Sequence, residues 1–337
     1  MKALTVSSGN RDNCLSLIKL IAALQVLWGH AVEHLQLSQP QAVGKLIGYF
    51  QGVPIFFIVS GFLIWFSMER CQSVKSFLGK RFWRIYPELW LAVALEIVTI
   101  ISFYRGWNIK HLALFTITQG TVFQFWTPSS LRGYGCGTPN GTLWTMCVMV
   151  QSYIVAWPLH KLFYRKNIKI WIAGLISLIA ISVIGKVIVD HIPSDTIIKL
   201  YEQTIIRYGW MFFLGYFIAA FKEKMIPVLS RFWYCFLLIG IVPYLTGFDL
   251  DAGYHVLKSI FLVCGVVGFA YRFPMLSIKP DISYGIFLYH MIVMNVFITF
   301  NLVGSWWYAA GALFITVLLA YASTVTIGKW AAKKKAG

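Results

Sequence analysis

The residues best suited to chemistry in this sequence are few, and they stand where charge is least expected. Lys19 interrupts the apolar run Leu15 to Trp28, and His30 follows eleven positions later. At 100° per residue that spacing returns to the same helix face, about 16 Å further along the axis. Glu33 and His34 occupy the i+3 and i+4 positions from His30 and can orient or perturb it. A histidine can take a proton from a hydroxyl near neutral pH and return it later, so His30 reads as a general base. Lys19 and Glu33 read as its catalytic companions. A hydrogen-bonded interfacial histidine is the plainer alternative. The segment KRFWRIYP brings Lys80, Arg81 and Arg84 together. Arg81 and Arg84, at i and i+3, can grip phosphate with forked donors. Cytoplasmic loops of any membrane protein also gather such cations. Ser60 sits in GVPIFFIVSGFLI, where Gly52, Pro54 and Gly61 allow either close helix approach or a broken helix beside a ligand. Glu88 and Glu96 are further suspects. The six cysteines show no CxxC pair or zinc-ligand spacing, so neither a disulfide framework nor a metal is expected.

These groups must be positioned by membrane helices. Of 337 residues, 58% are hydrophobic and only 12% charged. A soluble domain carries roughly 25% charge, so much of this surface does not face water. Aromatics at 17% fit belts at two membrane interfaces. The net charge of +17 is dispersed in short clusters between apolar runs, which excludes a nucleic-acid groove. The first apolar run reads as a retained helix, because Lys19 interrupts it and no small-residue cleavage site follows.

The fold expected is all-α: one polytopic integral membrane domain over 1–337 with about ten transmembrane helices. The apolar spans are 14–34, 46–67, 86–104, 142–162, 169–189, 206–221, 232–248, 254–271, 282–301 and 305–328. With the N-terminus inside, twenty of the 29 Lys and Arg fall in cytoplasmic segments, from Lys2 and Arg11 to Lys335, against eight outside. Both termini are then cytoplasmic, with a basic tail at 329–337. The longest external loop, 105–141, is rich in aromatics and turn residues and is a candidate acceptor site.

Five stretches carry a resemblance. RDNCLSLIKLIAALQVLWGH, GVPIFFIVSGFLI, FLGKRFWRIYP, NGTLWTMCVMVQSYIVAWP and ISYGIFLYH resemble, in order, motifs of the acyltransferase-3 family of membrane O-acyltransferases. The resemblance implies transfer of an acyl group, usually acetyl, from a cytoplasmic coenzyme A thioester. The acceptor it implies is a hydroxyl of a cell-envelope carbohydrate or lipid-linked glycan, at a bacterial inner membrane. Acetyl-CoA is then a co-substrate, membrane lipid surrounds the protein, and neither metal nor nucleic acid is needed. His30 matches the family's essential histidine, and Arg81 and Arg84 match paired arginines associated with the acyl-CoA site. Ser60, Gly61, Trp144, Tyr284 and His290 match recurrent motif positions. The chain departs from the pattern at three places: Ser16 replaces a frequent aspartate, Lys19 replaces an arginine, and Met149 replaces a glutamate. Glu33 or Glu96 is then the candidate substitute for that glutamate. A transporter or flippase of a glycan or lipid-linked substrate is the rival class, since it shares the helix count and the intramembrane lysine. An inactive membrane scaffold is a third.

Overall fold

The computed structural model describes residues 13–124, 126–248 and 255–336; Lys2 and Arg11, counted above, lie outside them, as does the side chain of Lys335. Fifteen α-helices run through these residues, without a strand among them. They are α1 (Leu15–His34), α2 (Gln41–Tyr49), α3 (Gly52–Glu69), α4 (Val74–Phe103), α5 (Ile109–Gln119), α6 (Trp144–Phe163), α7 (Ile168–Asp190) and α8 (Asp195–Tyr201). Then follow α9 (Ile205–Ala220), α10 (Lys222–Arg231), α11 (Trp233–Thr246), α12 (Val256–Arg272), α13 (Ser283–Thr299), α14 (Trp306–Ser323) and α15 (Lys329–Ala336).

Side-chain caps set several of the helix starts. Asn13 Oδ1 accepts the Leu15 amide, Ser73 Oγ that of Ser76, Asn108 Oδ1 those of Lys110 and His111, and Asn167 Oδ1 that of Ile170. Each satisfies a donor that the first helical turn leaves unpaired. Every apolar segment read from the sequence contains a helix. Six helical segments among the described residues are long and apolar enough to cross a bilayer, and a seventh if 195–231, bent by 101° after Ala220, is counted as one span. Helices α11 and α13 are apolar but shorter.

Two boundaries differ from the sequence reading. The second segment breaks at Phe50–Gln51 into α2 and α3. The third begins at Val74, twelve residues before the expected start at 86. Charge marks where a segment leaves hydrocarbon, but it does not end the hydrogen-bond ladder, so the helix continues outward through the basic cluster. Lys80, Arg81 and Arg84 therefore lie on the second and third turns of α4 and not at its start.

The centre of the molecule is α3, which packs on α1, α6, α9 and α12. Helix α13 packs on α1, α4 and α14. The contact of α3 with α9 is nearly backbone to backbone. A Cβ on Gly61 would lie 1.9 Å from the Phe212 carbonyl oxygen, and one on Gly215 would lie 1.8 Å from that of Ile58. Of the two readings of GVPIFFIVSGFLI, close approach of an unbroken helix is therefore the one observed. The outer helices invert the soluble pattern. On α7 and α14, Ile176, Ile181, Ile184, Phe314 and Leu318 are exposed while Ser182 and Thr316 are buried, as a helix facing lipid requires.

Candidate functional site

Helices α1, α3, α4, α6 and α13 enclose a cavity of about 150 Å³. It collects Lys19, Ser60, Arg81, Arg84, Tyr153 and Tyr284, residues up to 265 positions apart in sequence. Its remaining walls are mainly apolar, with Met149 among them. The i, i+3 spacing of Arg81 and Arg84 turns both toward this space, as the helix period requires. Lys80 is one position out of phase and is not among the lining residues.

The cations are held firmly. Arg81 donates through Nη2 to Ser67 Oγ at 3.1 Å and lies over the Phe77 and Tyr153 rings. Its Nε is buried without a protein acceptor. Arg84 lies 5.2 Å over the Tyr284 ring and 3.6 Å from Glu88 Oε1. Glu88 Oε2 accepts from Ser323, and the Tyr284 hydroxyl donates to the Ile85 carbonyl at 3.0 Å. Lys19 forms an ion pair with Asp281, just before α13. Asp281 Oδ1 also accepts from Ser283 Oγ at 2.6 Å. Burial pushes the Asp281 carboxyl up, but the Lys19 ammonium and the hydrogen bonds from Lys19 and Ser283 overcome this and hold it below the usual value. Ser16, one of the three departures from the resembled pattern, receives the Ile278 amide at 3.0 Å, which ties the same segment to α1.

His30 lies on α1 beyond Lys19, and the helix between them is continuous. It does not line the cavity. Its Nδ1 is 3.3 Å from His34 Nε2, and its ring centroid is 5.5 Å from that of His290. Glu33 is exposed beside them, and the donor atoms of His30, Glu33 and His34 all lie within 4.8 Å of one another. His290 is fully buried, and its Nδ1 donates to the Ile286 carbonyl at 2.9 Å. That bond places the proton on Nδ1 and leaves Nε2 as a bare lone pair, buried and without a protein partner. Phe287 joins the two regions, since it lines the cavity and its ring lies 6.1 Å from that of His290.

The segment 133–142 is fastened beside these histidines by α13. Asn295 Oδ1 accepts the Cys136 amide at 2.8 Å, and Asn295 Nδ2 donates to the Pro139 carbonyl at 2.6 Å. Asn140 Nδ2 donates to the Leu288 carbonyl at 3.0 Å. Part of the long loop thus borders the C-terminal end of α1. Glu96 is fully buried and lines no part of the cavity, and Glu33 is also absent from it. Neither supplies a carboxylate where Met149 stands.

The sequence reading missed Asp281, Tyr153 and the contact of His290 with His30. The criterion that singled out Lys19, an ionisable residue inside an apolar helix, applies equally to His290.

The sequence profile of a family described as an acyltransferase domain matches residues 12–325. Nodulation protein 10 of Rhizobium leguminosarum bv. viciae is 29% identical over 329 residues, covering 89% of this chain and 88% of that protein. The O-acetyl transferase of Shigella phage Sf6 is 27% identical over 312 residues, covering 86% of each chain. Peptidoglycan O-acetyltransferase OatA of Listeria monocytogenes is 27% identical over 173 residues, covering 48% of this chain and 28% of that protein. No solved structure matches the chain. The chain belongs to the acyltransferase-3 family and is a membrane O-acyltransferase.

Proposed function

We propose that this O-acyltransferase moves an acetyl group from cytoplasmic acetyl-CoA to a hydroxyl of a cell-envelope carbohydrate, with His30 as general base. The observation that carries the reading is the cavity, where Arg81 and Arg84 meet Lys19 and Ser60 beside an apolar wall. Cations set among mainly apolar side chains suit a donor with a phosphorylated head and a thin acyl-bearing arm. Phe287 then stands where the arm passes toward His290 and His30. The carbohydrate approaches from the side of segment 133–142, fastened to α13 by Asn140 and Asn295. The named relatives support this acceptor class, since one acts on peptidoglycan and another is an O-acetyl transferase.

In this reading His30 takes the hydroxyl proton as the oxygen attacks the thioester carbonyl, then returns it to the departing thiolate. The proton balance closes on one imidazole. His34 stacks beside the ring, 5.3 Å away between centroids. Arg81, Arg84, Lys80 and Ser60 serve the coenzyme, with Lys80 acting from the cavity's cytoplasmic approach. Lys19 holds α1 to the start of α13 through Asp281 and adds positive charge. Ten spans, cytoplasmic termini and an inner-membrane location complete the proposal. The test is purified protein in detergent with acetyl-CoA and envelope oligosaccharides. Acceptor-dependent release of free coenzyme A, with an acetyl-sized mass gain on the sugar, supports transfer. Acceptor movement across vesicles without coenzyme release would replace this reading with a transporter.

A further inference from the structure

We infer that His30, Glu33 and His34 form an inhibitory binding site for a divalent transition-metal ion at the outer end of α1. The spacing H-x-x-E-H places all three donors on one helix face, and the structure brings their ligand atoms within 4.8 Å of one another. Zinc binds imidazole nitrogen at about 2.0–2.1 Å, so two nitrogens on adjacent corners of its tetrahedron are separated by about 3.3–3.4 Å. His30 Nδ1 and His34 Nε2 are 3.3 Å apart. That separation is long for a hydrogen bond to nitrogen and equals a tetrahedral edge. Two imidazoles and one carboxylate suit zinc, copper or nickel in preference to magnesium or calcium.

A second, independent observation lies on α13. His290 Nε2 is a buried lone pair without a partner, on a ring 5.5 Å from that of His30. It stands beside the cluster, outside the group of three ligand atoms within 4.8 Å, and its Nδ1–H bond to the Ile286 carbonyl fixes which nitrogen faces without a proton. Glu33 is exposed and His30 and His34 are half-buried, so an ion from the outer solution reaches the cluster directly.

The consequence for activity rests on the role proposed above for His30. An ion on Nδ1 takes that nitrogen's lone pair and forces the imidazole proton onto Nε2. The ring then has no free lone pair to accept the hydroxyl proton, and transfer stops until the metal leaves. The ion is therefore a reversible inhibitor and not a cofactor.

Full-length protein in detergent, stripped with a chelator, is titrated with Co²⁺, which gives intense visible bands in a tetrahedral field. One ion per chain is expected, displaced by Zn²⁺. His34→Ala and Glu33→Gln should each weaken binding more than roughly tenfold, and His290→Ala roughly tenfold. Absence of the bands in the wild type, or equal bands in both His34→Ala and Glu33→Gln, overturns the site. Coenzyme release by the stripped protein should fall on adding Zn²⁺ and recover with chelator. Loss of release on chelation, or no change with bound Zn²⁺, overturns the inhibitory assignment. The cobalt spectrum reads the site even if no acetyl transfer is found, so failure of that reading stays distinct from failure of the metal site.

Discussion

The cation-lined cavity and the histidine cluster share α1 but are built on opposite principles. In the cavity Lys19 is paired with Asp281 and Arg84 with Glu88 and the Tyr284 ring, while Arg81, its Nε without a protein acceptor, is held by Ser67 and two aromatic faces. Such contacts fix the cations in place, which the proposed grip on an anionic ligand requires. In the cluster, the His30 ring lies against those of His34 and His290, with Glu33 exposed at the edge and the His290 Nε2 lone pair unused. Groups so arranged can gain and lose protons, which is what a transfer step requires. In the proposed function the first region holds the donor and the second handles the proton.

Replacing His30 by Ala breaks the contrast most severely. Transfer should fall about 10²–10⁴-fold, the usual worth of a positioned acid–base group. Elution as folded protein and binding of acetyl-CoA should be unchanged, since His30 does not line the cavity. A lost donor affinity in this variant would merge the two regions into one. Arg84→Ala should do the reverse. Losing a charge-assisted contact costs about 1.5–3 kcal/mol, so the KM for acetyl-CoA should rise roughly tenfold or more while kcat changes less. Steady-state kinetics with donor and acceptor varied separately would show it. A rise confined to the acceptor KM would place Arg84 in the wrong half of the site.

Lys19→Ala tests the joint between the regions. Asp281 would keep a half-buried charge without its main partner, and stability should drop by about 1–3 kcal/mol. The pH dependence has a definite sign. The folded-state pKa of Asp281 is lowered, so the contribution is present above the ordinary carboxylate value and lost as pH falls through the depressed one. Wild-type thermal stability should therefore hold from neutral pH down to about pH 4 and fall below it, with the Lys19→Ala protein less sensitive in that window. Equal acid sensitivity in both proteins would show that the ion pair does not carry this dependence.

What could be read beforehand follows from the range of each interaction. Apolar runs and positive clusters are local, so the helical membrane character, the His30–Lys19 face and the Arg81–Arg84 pair were legible. Lys80 was grouped with them because composition does not register the 100° that separates it from Arg81. Asp281 was invisible because its partner is 262 positions away and no motif includes it. His290 needed the packing of α1 on α13 before its lone pair had a neighbour. The start of α4 at Val74 was missed because bilayer cost, not helix propensity, governed the reading.

Lys19→Arg gives the smallest expected effect and the finest discrimination. Lys19 is one of the departures noted in the sequence, where the resemblance implies arginine, and it pairs with Asp281 through one carboxylate oxygen. The other oxygen is already taken by Ser283. An arginine fork could add a second contact only by competing with that serine, so the gain from bidentate geometry is largely cancelled. Stability should change by less than about 0.5 kcal/mol and kcat/KM by no more than about twofold, because charge and anchoring are both retained. A loss of tenfold or more would mean that the compact, deprotonatable amine is itself needed. Lys19 would then belong with the histidines that move protons, and the boundary between the two regions would lie one residue set deeper along α1.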